Sequence, residues 1–367
     1  MKIPYPVLTK RTEEVPNWLP VVTSVGAVLM AFIISGIILK LIGADPIKVY
    51  KYFFKASFGS WGAFSDVLVK ATPLILIGLG CALAFRMRLW NIGAEGQFFI
   101  GAFMATTVVM VPLVDIETTP KIVILGLMAI LGMIGGALYA FVPGFLKAKL
   151  NINEIITTLM LNYIAVLWNN YWIFGKWSDS GFQMTPTFPK QAWMPRLADY
   201  AKEIPAFSGM TAHAGILFGF IAAIIVYLII YKSKWGYKIT LIGDNVRTAR
   251  YAGIDIAANT ILVFMISGAL AGLAGMTEVA GTVHRLQERI SNSYGFSGVI
   301  VAWLAKLNPF AVIIVSILFG ALLVASREIQ PSGISFLIQG ITLFLVISSD
   351  VLLKYQITWV RPQEEQA

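Results

Sequence analysis

Apolar residues along the chain gather into ten long runs separated by polar stretches. The first is Leu19 to Ile42, followed by 66–85, 95–114, 122–146, 154–174, 213–231, 259–281, 296–306, 309–326 and 334–353. A membrane-crossing helix takes about 20 apolar residues, so the pattern predicts ten membrane helices, one of them short. The first run is too long for a signal-peptide core and no A-x-A cleavage site follows it, so it reads as an uncleaved first helix. The run 296–306 is too short to cross about 30 Å of hydrocarbon as a straight helix. It is either a half-helix or leans on its neighbour across the Asn308-Pro309 break.

Composition takes this further. Of 367 residues, 57% are apolar and 13% charged, against about 25% charged in an average soluble domain, and the mean hydropathy is +0.77. The fold class expected is all-α, a polytopic transmembrane bundle. A disordered chain, a disulfide scaffold and an ordinary soluble enzyme are excluded. The formal net charge of +9 fits loops facing anionic lipid and partner proteins, and no nucleic-acid partner is expected. A lone Cys81 permits no intrachain disulfide. His213 and His284 are too few and too far apart for a zinc motif, so neither metal nor cofactor is expected. No G-x-x-x-x-G-K-S/T sequence occurs, so the chain should not hydrolyse ATP by itself and is read as a transport subunit, not an enzyme.

Lys and Arg in the loops set the orientation. With the N-terminus inside, the cytoplasmic side receives Arg86, Arg88, Lys147, Lys149, Lys306, Lys354, Arg361 and the basic loop 232–258. The outer loops hold fewer per residue of loop, with Lys48, Lys51, Lys55, Lys190, Arg196 and Lys202 falling there. Residues 1–18 are then a cytoplasmic segment, 19–353 one transmembrane domain and 354–367 a cytoplasmic tail. An outer loop spans 175–212, with a short amphipathic piece expected near 191–203. Gly132 and Gly136, and likewise Gly268 and Gly272, have the G-x-x-x-G spacing of tightly packed membrane helices.

Four stretches carry unusual polarity. In the first, Asn91, Glu95 and Gln97 stand among Gly93 and Gly96 between two apolar runs. Apolar sequence resumes at Phe98 without a spacer. The segment is a broken or re-entrant piece beside a permeation path, or a tight turn with Asn91 as helix N-cap; both can hold together. In the second, Glu154, Thr157, Thr158 and Asn162 recur on one face of a helix beginning near Asn153. That face lines a path, or Asn153 caps the helix and the hydroxyls bond back to carbonyls. The third is the basic loop 236–254. Asp244 or Asn245 can cap a short helix that Gly253 ends, with Arg247 and Arg250 on one side and Ala249 and Ala252 exposing a small surface. It is a docking element, or a solvated loop on anionic headgroups. The fourth is Ser293 to Gly298, which precedes the short run. Glu278 is a further membrane carboxylate, or an interfacial one.

Taken together, N-I-G-A-E-G-Q at 91–97, N-E-I-I-T-T-L-M-L-N-Y at 153–163, the 243–254 loop, S-G-A-L-A-G-L-A-G at 267–275 and G-F-S-G-V-I-V-A-W-L at 295–304 resemble the membrane permeases of bacterial ATP-binding-cassette (ABC) importers. The group is the branched-chain amino acid and simple-sugar permease family, in its nucleoside-type subgroup. The resemblance covers about 66–346 and implies a type II ABC importer-like bundle. It departs at Trp303-Leu304-Ala305-Lys306, where relatives often read leucine then glycine. It implies a multi-pass protein of the bacterial cell membrane with both termini cytoplasmic. Its partners would be a cytoplasmic ABC ATPase, a second and related permease chain, an extracytoplasmic substrate-binding lipoprotein and membrane lipid. Asn91, Glu95, Gln97, Glu154, Thr157 and Asn162 become expected substrate-path residues. Gly243, Asp244, Asn245, Arg247, Ala249, Arg250 and Gly253 become expected ATPase-coupling residues. The substrate implied is a nucleoside, a purine nucleoside in particular. A simple sugar is the alternative, and beyond it an ion-coupled secondary transporter with Glu95 or Glu154 as ion site.

Overall fold

The computed structural model describes residues 5–10, 16, 18–111, 113–179, 181–326 and 333–360. Most of the expected 1–18 segment, and Arg361 in the expected tail, lie outside the described residues. In chain order the elements are β1 (Tyr5–Lys10), α1 (Leu19–Leu41), α2 (Pro46–Phe58), α3 (Trp61–Arg86), α4 (Ala94–Met110), α5 (Lys121–Leu150), α6 (Glu154–Phe174), α7 (Gly215–Lys232), α8 (Lys234–Asp244), α9 (Val246–Tyr251), α10 (Ile256–Thr277), α11 (Tyr294–Leu304), α12 (Pro309–Ala325), α13 (Ile334–Lys354) and β2 (Tyr355–Val360). Every one of the ten apolar runs is a helix. Among the described residues five helices, α1, α3, α5, α7 and α10, are long and apolar enough to cross a membrane by length and composition. The chain is a polytopic helical membrane bundle. The helices α2 and α8 were not expected, because both mix lysines and aromatics and contain no apolar run.

The chain divides into two compact units. In one, Met1–Lys51 with Ile329–Ala367, α1 packs on α13. In the same unit β1 pairs antiparallel with β2, Tyr5 opposite Val360 and Lys10 opposite Tyr355. The ribbon therefore joins residues 5–10 to residues 355–360. The Tyr50 hydroxyl donates to the Phe32 carbonyl at 2.5 Å.

The other unit, Tyr52–Glu328, is built around α3, which is buried along nearly all its length. It packs against α7, α10, α11 and α12, while α10 packs against α3, α4 and α5. Gly80 touches Ser267 at one level and Lys70 meets Glu278 at another, so α3 and α10 run antiparallel. Exchanging α3, α4 and α5 for α10, α11 and α12 preserves this pattern of neighbours. The unit is thus two copies of one motif with opposite direction, a long helix followed by a short one that turns back into the bundle.

Both short helices begin halfway along a long one. Asn91 reaches Ser267, near the middle of α10, and the Tyr294 hydroxyl reaches Lys70 on α3. The N-termini of α4 and α11 meet in the centre: a Cβ at Gly295 would strike the backbone of Glu95. The expected half-helix is α11, and α4 is a second one. Glycines also permit the tightest helix crossing. At the α5–α10 contact, Gly132 and Gly136 lie against Gly268 and Gly272 with backbone touching backbone, as the spacing predicted.

Candidate functional site

The turn 87–93 that feeds α4 folds into the bundle. Asn91 and Gln97 are buried and pair amide to amide, Asn91 Nδ2 to Gln97 Oε1 at 2.9 Å and Gln97 Nε2 to Asn91 Oδ1 at 3.0 Å. Asn91 Nδ2 also donates to Ser267 Oγ at 2.8 Å, and its Oδ1 accepts from Gly93 N–H at 3.1 Å. A helix start leaves backbone N–H groups without intrahelical partners. The N-cap of α4 is Gly93, which has no side chain to meet them. Asn162 on α6 does so from across the bundle: its Oδ1 accepts Gly96 N–H at 2.8 Å and its Nδ2 donates to Ile92 C=O at 2.9 Å. Asn91 is therefore not the helix cap, although it fixes the turn.

The second half-helix is closed in the same manner. Ser293, the N-cap of α11, makes no side-chain cap, and Glu95 Oε2 accepts Gly295 N–H at 2.7 Å. A carboxylate is favoured at the positive end of a helix. Asn162 and Glu95 thus cap in trans, each holding a broken segment that lipid would not tolerate.

The six expected path residues fall into two groups. Asn91 and Gln97 form a closed pair, and Asn162 and Glu95 hold the backbone at the starts of α4 and α11. Glu154 forms an ion pair with Lys147 at 2.9 Å. Thr157 bonds back to the Asn153 carbonyl at 2.8 Å, while Asn153 caps α6 through Ile155 and Ile156 N–H. Glu154 also lines a hollow of about 870 Å³ with Arg88, Lys149, Asp244 and Arg250 at the α8–α9 end of the unit.

The basic loop is two helices, not one. Asn245 ends α8 and caps α9 through Arg247 and Thr248 N–H, and Gly253 closes the turn with φ +72°. Arg247, Arg250 and Tyr251 are exposed, Tyr251 by 93%. Ala249 is fully buried, contrary to the exposure expected of it, while Ala252 is exposed as expected. Two residues along a helix is a little more than half a turn, so Ala249 faces away from Arg247 and into the protein. Gly243 is also interior, against the Arg86 carbonyl at the end of α3.

Sequence reasoning passed over Lys70. It lies within the apolar run 66–85, and an ionisable residue at membrane depth was the signal to heed. Lys70 Nζ donates to Glu278 Oε1 at 3.0 Å and to the Tyr294 hydroxyl at 2.7 Å. Glu278 is 1% exposed, a carboxylate buried within the protein. It opens a π-helical turn, Glu278–Val283, that extends α10.

The 175–212 loop closes that end. Its regular pieces are short 3₁₀ turns at Lys190–Ala192, Leu197–Tyr200 and Pro205–Phe207. The Arg196 guanidinium donates to the Gly281 and Thr282 carbonyls and lies 2.6 Å from His284 Nε2. His284 stacks on Trp193, ring centroids 3.9 Å apart. Burial and the Arg196 charge hold the His284 pKa down at about 4, and burial with the same charge holds His213 at about 3. A neutral His284 ring can accept from Arg196, so the clasp is intact at neutral pH and is lost as pH falls through about 4.

Residues 63–347 match the family model described as branched-chain amino acid transport system / permease component, and the chain belongs to that family. Among its relatives are the glucose ABC transporter permease TsgB13 of Haloferax volcanii, 31% identical over 94% of this chain and 91% of the relative, and the nucleoside ABC transporter permease NupB of Lactococcus lactis, 30% identical over 84% of each. The guanosine ABC transporter permease NupP of Bacillus subtilis is 29% identical over 88% of this chain and 92% of the relative. A second permease from each of the last two organisms, NupC and NupQ, matches more weakly, at 24% and 26%. No solved structure matches the chain.

Proposed function

We propose that this chain is the permease subunit of an ABC importer that brings nucleosides, purine nucleosides in particular, into a bacterial cell. Both termini and the α8–α9 element lie in the cytoplasm. The observation that carries the reading is that element: a helix capped by Asn245 presents Arg247, Arg250 and Tyr251 outward on a chain whose sequence has no phosphate-binding glycine loop. Work must then arrive through a protein contact, and an exposed Tyr with two Arg is the composition of an interface hot spot. NupB and NupP, both aligned over most of the chain, support nucleosides. TsgB13 keeps a simple sugar as the alternative. The weaker matches NupC and NupQ support pairing with a second, related permease, beside a cytoplasmic ATPase and an extracytoplasmic binding lipoprotein.

Gly243, Asp244, Asn245, Ala249 and Gly253 form the frame of the coupling element, and Arg247, Arg250 and Tyr251 its contacts. In cells carrying the complete system, Arg250→Glu with Tyr251→Ala should leave the chain in the membrane. It should cut nucleoside uptake by about 30-fold, the loss expected for a hot-spot pair of about 2 kcal/mol, while ATPase turnover no longer responds to substrate. Uptake at the wild-type rate would remove the coupling assignment. Uptake of labelled purine nucleosides and of glucose in cells with and without the gene decides the substrate.

The proposed path runs beside the capped half-helices. Asn91, Glu95, Gln97 and Asn162 shape it, and Glu154 and Thr157 stand at its cytoplasmic end. Replacing Asn162 with Leu leaves the buried Gly96 N–H unpaired, at about 1–3 kcal/mol, and frees the half-buried Ile92 C=O at a smaller cost. That variant should lose most of its uptake while still copurifying with the ATPase. If uptake is retained, α4 does not depend on its cap.

A further inference from the structure

At the end of the unit opposite α8 and α9, a separate cavity of about 210 Å³ opens between α3, the 175–212 loop and the π-helical turn. Its polar lining is Asp66, Lys70, Arg196, Thr211 and Thr282, with Val69 as an apolar wall. Lys70 is buried and forms part of the floor, held by Glu278 and Tyr294. Arg196 is fixed by two carbonyls of the π turn, and Asp66 accepts from the Thr211 hydroxyl at 2.5 Å. The charged groups are thus anchored before any ligand arrives, which lowers the ordering cost of binding.

The charges balance. Asp66 and Glu278 stand against Lys70 and Arg196, so a phosphate would meet Asp66 and a cation would meet two fixed positive groups. What such a site offers is fixed acceptors beside fixed donors at close range, with one apolar surface. Neighbouring hydroxyls on a ring match this, since each hydroxyl both donates and accepts. The volume is below the 300–1,000 Å³ of a drug-sized pocket, so it takes one ring and not a whole nucleoside.

We propose that this cavity is an extracellular-side subsite for the vicinal diol of a sugar ring, the ribose of a nucleoside or a free hexose. The assignment rests on the importer reading for its direction and deepens it: the chain itself, and not only a delivering lipoprotein, contacts the sugar. The diol is common to the nucleoside and sugar readings, so the site serves either.

The test uses the complete transporter in membrane vesicles. The native thiol, Cys81, is buried, so Thr282→Cys supplies an accessible one in the cavity wall. Its labelling by a small charged thiol reagent should slow about tenfold when inosine is present at about ten times its Kd. 2′,3′-Dideoxyinosine, which lacks the diol, should protect far less. Adding Asp66→Asn should abolish the difference between the two, and Thr211→Cys should repeat the result from the other wall. Equal protection by both nucleosides, or none by inosine or glucose, overturns the subsite. Parallel uptake separates the two failures. Normal nucleoside uptake without protection leaves the importer reading standing, and protection without uptake of nucleoside or sugar leaves the subsite standing and removes that reading.

Discussion

Replacing Lys70 with Met in the full chain should cost about 3–5 kcal/mol of stability, the usual penalty for leaving one partner of a buried ion pair uncompensated. Glu278 is 1% exposed and Lys70 5%, so removing Lys70 leaves the Glu278 charge with little solvent beyond the small cavity that Lys70 lines. The Tyr294 hydroxyl would lose its donor at the same time. Lys70 comes from α3, Glu278 from the extension of α10 and Tyr294 from the start of α11, so the loss acts where the two copies of the motif meet. The melting temperature of the purified chain in detergent is the readout. The combined change Lys70→Met with Glu278→Leu should recover most of the loss, because well-packed apolar groups commonly replace a buried pair at little cost. A single variant as stable as the wild type, or a double variant no better than the single, would show that the pair does not hold these helices.

The positions of the ten apolar helices were readable because each is a run of apolar side chains, and the run does not depend on what packs against it. The polar positions were readable only as unusual. Spacing placed Glu154, Thr157 and Asn162 along one side of α6, but it could not say that Asn162 would cap a helix 66 residues earlier in the chain. A trans cap pairs residues remote in sequence and leaves no local pattern. The helices α2 and α8 escaped because their faces are divided between lysine and aromatic side chains. Lys70 escaped because two charges near the start of the run, Asp66 and Lys70, do not interrupt the apolar stretch that follows. In α9 the cap at Asn245 and the stop at Gly253 were both legible from residue type. Which side faced inward was not, since α8 and α10 decide it, and Ala249 proved to be interior.

The close crossing of α5 and α10 carries the other large expectation. Gly136→Val in the full chain should abolish the folded bundle or lower its melting temperature by more than any other single apolar substitution. A Cβ at Gly136 would run into the Gly268 carbonyl and press on the backbone of Gly272. Backbone cannot rotate aside as a side chain can, so the two helices must separate along the contact. Separation uncovers Gly101, Gly132, Gly268 and Gly272 together, because each of these lies against the same crossing. Between membrane helices close van der Waals packing is a main source of attraction, and overpacking a tight interior costs typically 1–3 kcal/mol and sometimes more. The control lies in the same helix: Gly126 has open space where its Cβ would be, and Gly126→Ala should be neutral or slightly stabilising by helix propensity. A Gly136→Val chain that melts within a few degrees of the Gly126→Ala chain would mean that α5 and α10 do not touch through their glycines.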